Sequence, residues 1–596
     1  MVHETDPVLF SDWILPSLAY FFQIAVVLGL LALVVGFLVA AFRYGPIAGG
    51  DVVYRMVRTA LGDLVSISPR RVMALAWLAV QESLRRRVLV GFAVFLLILL
   101  FAGWFLDTKS TAPVTLYLSF VLTATTWLVL LMALFLSALS LPADIKNKTI
   151  YTIVTKPVRP GEIVLGRILG FAAIGTLMLV VMGLFSYVFV ARVLNHTHEV
   201  EVASLKSVPN DSSGSRTGRT SLSQNHRHQL TIDADGNGST DIAQGHYHNI
   251  TARTVGDKVT YEMGPPEDLF TARVPAYASA LRFKDRTGQG SERGISVGNE
   301  WKYRSYIDGA TLAAAVFTFS DITPERFPNG LPIEMTIRVF RSYKGDIEKG
   351  ILGSLVLKNP KTGRASQIET FRAKDFYIDH RDIPRKLTDP TGKSIDLFDD
   401  LVSDGQLEIE LQCLDDEQYF GVAKPDIYLR AREASFTMNF IKSYIAIWVQ
   451  MLLVTGFGVM FSTFLSGPVA MMATLATIVM GFFKQFVLDV AHGAVLGGGP
   501  IESSIRILKQ QNLTVQMEPG LTTDVVKVSD KVFMWVMERI TSLLPDFRQF
   551  DNVDYVAHGF DIPPEVVLVQ VFTALGYVAA VFAVGYFFLR TREVAR

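Results

Sequence analysis

The stretch FQIAVVLGLLALVVGFLVAAF, residues 22–42, is apolar at every position except Gln23. An α-helix needs about 20 such residues to cross a hydrocarbon core about 30 Å thick. Acidic residues, Glu4, Asp6 and Asp12, precede the block where a secretory signal would carry basic ones. The apolar run is also longer than that of a signal peptide, so we interpret residues 13–42 as a retained transmembrane helix.

Further apolar blocks of similar length follow along the chain, and half of all residues are hydrophobic. They are residues 88–106, 115–141, 165–193, 440–465, 469–488 and 566–589. The chain is therefore predicted to be an α-helical polytopic membrane protein with about seven transmembrane helices.

Basic residues predict the orientation, because loops rich in Lys and Arg face the cytoplasm. One group lies between the first two spans, one follows the third, and one closes the chain. This places the N-terminus, residues 194–439 and residues 491–565 outside, and the C-terminus inside a cytoplasmic membrane. The three groups are Arg43, Arg55, Arg58, Arg70, Arg71, Arg85, Arg86 and Arg87; Lys146, Lys148, Lys156, Arg159 and Arg167; and Arg590 and Arg592.

Residues 194–439 differ in composition from the spans and predict an inserted, mainly-β extracytoplasmic domain. Apolar residues alternate at 333–339 (IEMTIRV), 352–357 and 407–411 (LEIEL), and turn signals separate these runs at 329–330 and 360–363. Period-two runs between Gly, Asn and Pro are typical of strands. The only cysteine, Cys413, cannot form an intramolecular disulfide, so this domain needs its own core.

Two amphipathic stretches, residues 72–84 and 528–544, have apolar side chains at helical spacing. The first is predicted inside and the second outside. Each could be a helix lying in the membrane interface or a helix packed against others, and the sequence alone leaves both interpretations open.

The cytoplasmic turn between the third and fourth spans reads LPADIKNKTIYTIVTKPVRPGEIVLGR, residues 141–167. This turn resembles that of the type-2 permeases of ATP-binding-cassette transporters, in which a Pro, an acidic residue and a Thr precede a Pro-Val turn and a Glu-Ile-x-x-Gly-Lys run. Asp144 stands where Glu is commoner and Arg167 replaces Lys. The matching residues are Pro142, Asp144, Thr149, Pro157, Val158, Glu162, Ile163 and Gly166. Residues 73–87, 544–550 and 588–593 also resemble the family.

The resemblance covers about half of the chain and implies a six-helix permease core from Val88 onward, whereas the additional N-terminal helix and the large outer domain fall outside the family pattern. The implied divisions are 1–71, 72–193 with a coupling loop at 142–164, 194–439, and 440–596 with an extracellular segment at 491–565. In the family this loop contacts the ATPase subunit, and a short helix between Pro142 and Pro157 would make it rigid. The alternative is a loop that only joins two helices. The implied contact residues are Asp144, Lys148, Thr149, Lys156, Pro157, Arg159 and Glu162.

The nearest match to a phosphate-binding G-x-x-x-x-G-K-[ST] loop is Gly392-Lys393-Ser394, but Leu387 replaces the first Gly and the segment is predicted outside. ATP and Mg²⁺ are therefore expected on a separate ATPase subunit, and this chain is not predicted to be an enzyme. A second permease copy or a partner permease would complete the pore within membrane lipid. Equal numbers of basic and acidic residues, 56 each, give no sign of nucleic-acid binding.

Six of the ten histidines form three His-x-His pairs: His196/His198, His226/His228 and His246/His248. Residues two apart on a strand face the same side, so each pair could offer two imidazoles to a divalent transition metal. Histidines are also ordinary polar residues of exposed strands. The second hypothesis for the chain is thus a membrane-anchored extracytoplasmic metal- or partner-binding sensor without transport.

Between the last two pairs, Asp233, Asp235, Asn237 and Asp241 occur in DADGNGSTD, residues 233–241, which is similar to a Ca²⁺-binding loop. Gln244 replaces the bidentate Glu of such loops. A turn between two strands, with Gly at positive φ, is the alternative. The pattern suggests a repeat of His-x-His, strand, Asp/Gly turn and His-x-His.

Overall fold

A computed structural model describes residues 9–591 of the chain with several gaps. Those gaps are residues 86–87, 107–112, 150–154, 156, 208–213, 225, 242, 244–245, 256–257, 296, 298–302, 343–349, 376–377, 495–497 and 513–519. Contacts divide the chain into two compact units. One unit is the body formed by Phe270–Asn439 with Gly559–Asp561, and the other contains the helices together with the chain up to Leu269. The predicted domain 194–439 is therefore divided between two units.

The helical unit contains long apolar helices joined by shorter ones. In chain order the helices are α1 (Phe10–Tyr44), α2 (Pro46–Val65), α3 (Pro69–Arg85), α4 (Val88–Phe105), α5 (Pro113–Lys146), α6 (Pro160–Leu194), α7 (Phe436–Phe464), α8 (Gly467–Phe482), α9 (Lys484–Ala491), α10 (Pro500–Leu508), α11 (Leu521–Ser542), α12 (Val553–Ala557) and α13 (Pro564–Thr591).

Five of the described helices, α1, α5, α6, α7 and α13, are long and apolar enough to cross a membrane. A sixth span results if α8 and α9, which meet at 67°, are counted as one. The predicted span at 88–106 corresponds to α4, which contains the apolar segment Val90–Leu99. The membrane-type helices and the separate mainly-β body are confirmed, and the count of seven spans stays a prediction.

Pro142 lies inside α5, which continues to Lys146. The prediction that a separate helix begins at Pro142 is therefore wrong. Proline removes one N–H from the helix ladder, here the donor to the Ala138 carbonyl. The rest of the 34-residue helix is long enough to tolerate that loss. Lys156, Arg86 and Arg87 lie outside the described residues.

The first amphipathic stretch forms α3, which packs closely on α6. A Cβ added at Gly166 would lie 2.6 Å from the Leu75 Cβ, and one at Gly170 would lie 2.5 Å from the Ala76 carbonyl oxygen. The small side of α3 is thus buried, whereas Met73 and Trp77 are exposed. The packed-helix interpretation is confirmed on this side, and a position of the exposed side in the membrane interface stays a prediction.

A six-stranded sheet, residues 206–267, follows α6 and belongs to the same unit, and we call it the histidine sheet. It is an antiparallel meander in sequence order. Its core is small, with Leu230, Ile232 and Ile250 buried together. Its strands are β1 (Lys206–Ser207), β2 (Arg216–Arg219), β3 (Gln229–Ile232), β4 (Gly238–Thr240), β5 (Tyr247–Val255) and β6 (Lys258–Glu267).

The β body contains four antiparallel sheets around one apolar core, with strand orders β15-β14-β19-β11-β8-β9, β16-β12-β21-β7, β10-β20-β13 and β17-β18. The predicted strand at 333–339 is divided, because its first half pairs with β16 and β21 and its second half with β20. The strands are β7 (Arg273–Tyr277), β8 (Ala280–Lys284), β9 (Gly290–Ser291), β10 (Ser305–Asp308), β11 (Ala314–Phe319), β12 (Gly330–Met335), β13 (Arg338–Arg341), β14 (Ile351–Lys358), β15 (Glu369–Ala373), β16 (Asp379–Pro384), β17 (Lys386–Thr388), β18 (Ser394–Asp396), β19 (Leu407–Cys413), β20 (Gln418–Val422) and β21 (Ile427–Glu433).

Candidate metal centre

A repeated backbone motif positions the His-x-His pairs at one end of the histidine sheet. The Thr220 hydroxyl accepts a hydrogen bond from the His228 backbone N–H at 3.0 Å. Twenty residues later, the Thr240 hydroxyl accepts one from the His248 N–H at 2.9 Å. The meander thus turns twice in the same way, and each turn brings a new pair of imidazoles to the same place. These six side chains, here called the histidine centre, are His196, His198, His226, His228, His246 and His248.

The ring nitrogens of the histidine centre converge. The Nε2 atoms of His196, His226 and His246, the first members of the three pairs, lie 3.1–3.2 Å from one another. The Nε2 atom of His198 lies 3.2 Å from that of His226. In addition, the ligand atoms of His198, His226, His228 and His246 all lie within 4.8 Å of one another, as do those of His196, His198, His246 and His248.

The pattern of neighbouring rings is that of an octahedron. Each ring faces four of the other five, with ring centroids 4.8–5.3 Å apart. Among these six described side chains, the pairs that do not face each other are His196 with His228, His198 with His246, and His226 with His248. They correspond to opposite vertices. The first members of the pairs form one triangular face, and the second members form the other.

Backbone carbonyls fix the orientation of five rings. The Nδ1 atoms of His196, His198, His228 and His248 each lie 2.9 Å from a carbonyl oxygen, those of Leu194, Ser221, Asp241 and Gly264 respectively, and that of His226 lies 3.4 Å from the Gln224 carbonyl. A carbonyl only accepts, so each Nδ1 carries the proton and each Nε2 presents a lone pair to the centre. Metal-binding histidines are oriented in this way.

The inner nitrogens present lone pairs that a cation could accept. With protons on Nδ1 of five rings, the His226 Nε2 contacts with those of His196 and His198 have no hydrogen to share, and the buried Nε2 atoms of His228 and His248 have no hydrogen-bond partner. Burial lowers the pKa of all six imidazoles, to about 4 for His226 and His228 and to about 2 for His246. Protonation therefore does not relieve the repulsion at neutral pH, whereas a metal ion would accept all six lone pairs.

The dimensions fit a first-row transition metal. An octahedron whose adjacent vertices are 3.1–3.2 Å apart has its centre about 2.2 Å from each vertex. Metal–imidazole bonds are about 2.0–2.1 Å for four-coordinate zinc and slightly longer in six-coordinate sites. Six protein ligands leave no open position for water or substrate, which is the arrangement of a structural rather than a catalytic metal.

The acidic loop before the third pair is a hairpin turn. Asp233 accepts a hydrogen bond from the Asn237 N–H at 2.8 Å, and Gly236 has φ of 83°. Asp233, Asp235 and Asn237 are exposed, so the turn interpretation is supported over the Ca²⁺ loop. Asp241 does reach the centre, but through its carbonyl, which accepts from His228.

The residues of the predicted coupling loop form two groups. Glu162 is buried and accepts hydrogen bonds from the Arg71 guanidinium and the Ser68 N–H. Asp144 bonds Thr149 and forms an ion pair with Arg167. Both acids thus have partners within the chain, and the contact with an ATPase subunit stays a prediction. Lys148, Thr149 and Pro157 are exposed, Arg159 is half-buried, and Lys156 lies outside the described residues.

The sequence did not point to Glu82 or Ser140, which surround Arg167. Glu82 pairs with Arg167 at 2.6 Å and Ser140 also bonds it, so α3, α5 and α6 meet at one buried cation. The sequence signal that could have pointed to this ion pair is Glu82, an acidic residue on the amphipathic helix α3. No protein-family model matches the chain, and no curated protein matches it.

Proposed function

We propose that this chain is a membrane-embedded protein that binds one divalent first-row transition-metal ion in the histidine centre. The octahedral arrangement of six Nε2 atoms supports this proposal most strongly. Six neutral nitrogen ligands favour ions such as Ni²⁺, Co²⁺ or Fe²⁺ over Ca²⁺ and Mg²⁺, which prefer oxygen. Zn²⁺ is usually four-coordinate in structural sites, so the octahedron also disfavours zinc.

The metal would hold the histidine sheet together. Its apolar core is small, and small folds often depend on a disulfide or a metal for stability. Cys413, the only cysteine, lies in the other unit, so no disulfide can serve this sheet. A metal centre that joins the end of α6 to β3 and β5 would stabilise the sheet where its apolar core is too small to do so alone.

Metal analysis of the purified full chain tests this function. We expect one bound metal ion per chain after the protein has been dialysed against buffer that contains trace metals and then against metal-free buffer. His228→Ala should remove most of it, because five rings cannot complete the octahedron. His492→Ala, which changes an exposed histidine outside the centre, is the matched control and should retain the metal. Equal metal content in both variants, or a metal-free wild-type chain, would contradict the proposal.

We propose as a second candidate that the chain is also the permease subunit of an ATP-driven transporter. The junction of α3, α5 and α6 around Arg167 favours it, because this junction would be rigid enough to transmit movement from the loop that follows α5. The metal-dependent sensor without transport is the alternative. The permease and the sensor hypotheses differ in whether an ATPase with a G-x-x-x-x-G-K-[ST] loop binds the chain.

Copurification tests the permease proposal. Lys148→Glu and Pro157→Ala change exposed loop residues and should release an ATPase subunit encoded beside this chain. Arg58→Glu reverses an exposed charge on α2 and is the matched control. Glu162→Gln should act indirectly by loosening the loop. If no ATPase copurifies with the wild-type chain, transport driven by such a subunit is excluded.

A further inference from the structure

Helix α11 is inverted relative to the helices of a soluble protein, because its polar side is buried and its apolar side is exposed. Asp530 and Thr541 are 2% and 0% exposed. On the opposite side, Val525, Val532 and Ile540 are 64%, 59% and 53% exposed. We call the outward side, Val525, Val528, Val532, Val536 and Ile540, the valine stripe.

The buried side of α11 has a defined partner. The Asp530 carboxylate accepts hydrogen bonds from the Ile501 and Glu502 backbone N–H groups, both at 2.8 Å. These are orphan donors of the first turn of α10, so Asp530 caps that helix. This contact fixes the rotation of α11 and directs the valine stripe away from α10.

The C-terminal end of α11 lies where the bent span α8–α9 leaves the apolar region. The Lys484 ammonium at the bend donates to the Leu544 carbonyl at 2.7 Å, just beyond α11. The Phe547 ring lies 5.5 Å from that of Phe482 at the end of α8. Phe486 on α9 is half exposed, so apolar surface continues from the span toward α11.

We propose that α11 lies in the membrane interface, with the valine stripe in the acyl region of the leaflet into which α8 and α9 emerge. Its flanks fit this position, because Lys527 and Lys531 are four residues apart on one side and can reach phosphate groups. Trp535, also exposed, is a residue typical of membrane interfaces. Contiguous apolar surface of this kind is unfavourable in water. This inference does not depend on the metal.

Fluorescent labelling of the full chain in lipid nanodiscs tests this position. Cys413 is buried, and burial raises its pKa to about 12, so a Cys413→Ser background removes a thiol of low reactivity. Val532→Cys places a bimane label on the valine stripe, and Lys527→Cys places the same label at an exposed position of the same helix that lies away from the stripe. Quenching by nitroxide-bearing lipid and by aqueous iodide is then compared.

We expect lipid nitroxide to quench the label at position 532 several-fold more than that at 527, and iodide to show the reverse preference. Val525→Cys repeats the test on the same stripe if the first variant does not fold. Strong iodide quenching at both positions would overturn the proposal. Protection from both quenchers, with energy transfer between labels on two chains, would assign the stripe to a second copy and also overturn it.

Discussion

The Nδ1 atom of His196 lies 2.9 Å from the carbonyl oxygen of Leu194, the last residue of α6. The Gln224 amide, two residues before the second pair, donates to the Val193 carbonyl at 3.3 Å. The last carbonyls of a helix have no partner within it. Two of these carbonyls in α6 are therefore satisfied by the loops that form the histidine centre, so the proposed metal site is connected to the end of a long apolar helix.

Metal removal should loosen the end of α6. Chelation is expected to increase amide exchange at the last turn of α6 and in β3 and β5, because the proposed metal would hold the ends of these elements together. A ligand present at 1,000 times its dissociation constant contributes about 4 kcal/mol, which corresponds to about 10³-fold in local opening. Hydrogen-exchange mass spectrometry measures this change. The first turn of α6 is the internal control, and a uniform response along α6 would contradict the prediction.

Chelation should also unfold the histidine sheet before the β body. The sheet buries few apolar side chains, whereas the body has an extensive core of its own. Protease should therefore cleave the chelated chain within residues 206–267 and leave residues 270–439 intact. Restoring the metal should restore protection. Cleavage that is unchanged by chelation would show that the sheet folds without metal.

Cobalt substitution should report the coordination number. A six-nitrogen octahedral Co²⁺ centre absorbs weakly in the visible range, whereas a tetrahedral centre absorbs strongly. X-ray absorption should find about six nitrogens at about 2.2 Å. His226→Ala should lower the number of nitrogen ligands and admit water, whereas His492→Ala should leave the spectrum unchanged. Strong tetrahedral absorption in the wild-type chain would contradict the octahedral assignment.

The sequence predicted which histidines come together but not their geometry. Two-residue spacing indicated that each pair could offer two imidazoles to one ion, and the structure brings all six of these histidines to one place. The octahedron depends on two turns of equal length, each held by a threonine hydroxyl, Thr220 or Thr240, and such long-range register is not visible in a local pattern. Similarly, the apolar run at 333–339 predicted strands, but not that the chain changes sheets after Met335. The prediction that a new helix begins near Pro142 was wrong because α5 is long enough to tolerate the loss of one hydrogen bond there.

Neutralising Arg167 should destabilise the helical unit. Arg167 is buried between Glu82 and Asp144, so Arg167→Gln leaves two carboxylates near each other without their cation. Breaking a buried ion pair costs about 3–5 kcal/mol. Thermal unfolding in detergent measures the loss. Arg192→Gln, an exposed change near the other end of α6, is the control and should cost less than about 1 kcal/mol.

Glu334 should control the acid stability of the β body. Its carboxylate is 2% exposed and bonds the Tyr428 hydroxyl, with the Arg273 guanidinium 3.1 Å away. Burial alone would raise the pKa of Glu334, but the nearby His380 imidazole, the hydrogen bond from the Tyr428 hydroxyl and the charges of Arg273 and Arg430 outweigh it. They hold the pKa at about 2, below the ordinary value of 4.5. The ionised form is thus favoured by folding.

The sign of the pH dependence follows from this lowered pKa. The stabilisation by Glu334 is complete above about pH 4.5 and is lost as the pH falls toward about 2, where the folded form also takes up a proton. Glu334→Gln should remove that acid-dependent contribution and cost about 3–5 kcal/mol at neutral pH, because the partly buried Arg273 and Arg430 lose a buried counter-charge. Unfolding followed at several pH values measures both effects. Asp404→Asn, in an exposed pair with Lys361, should change stability by less than about 1 kcal/mol, and an equal loss in both variants would contradict the prediction.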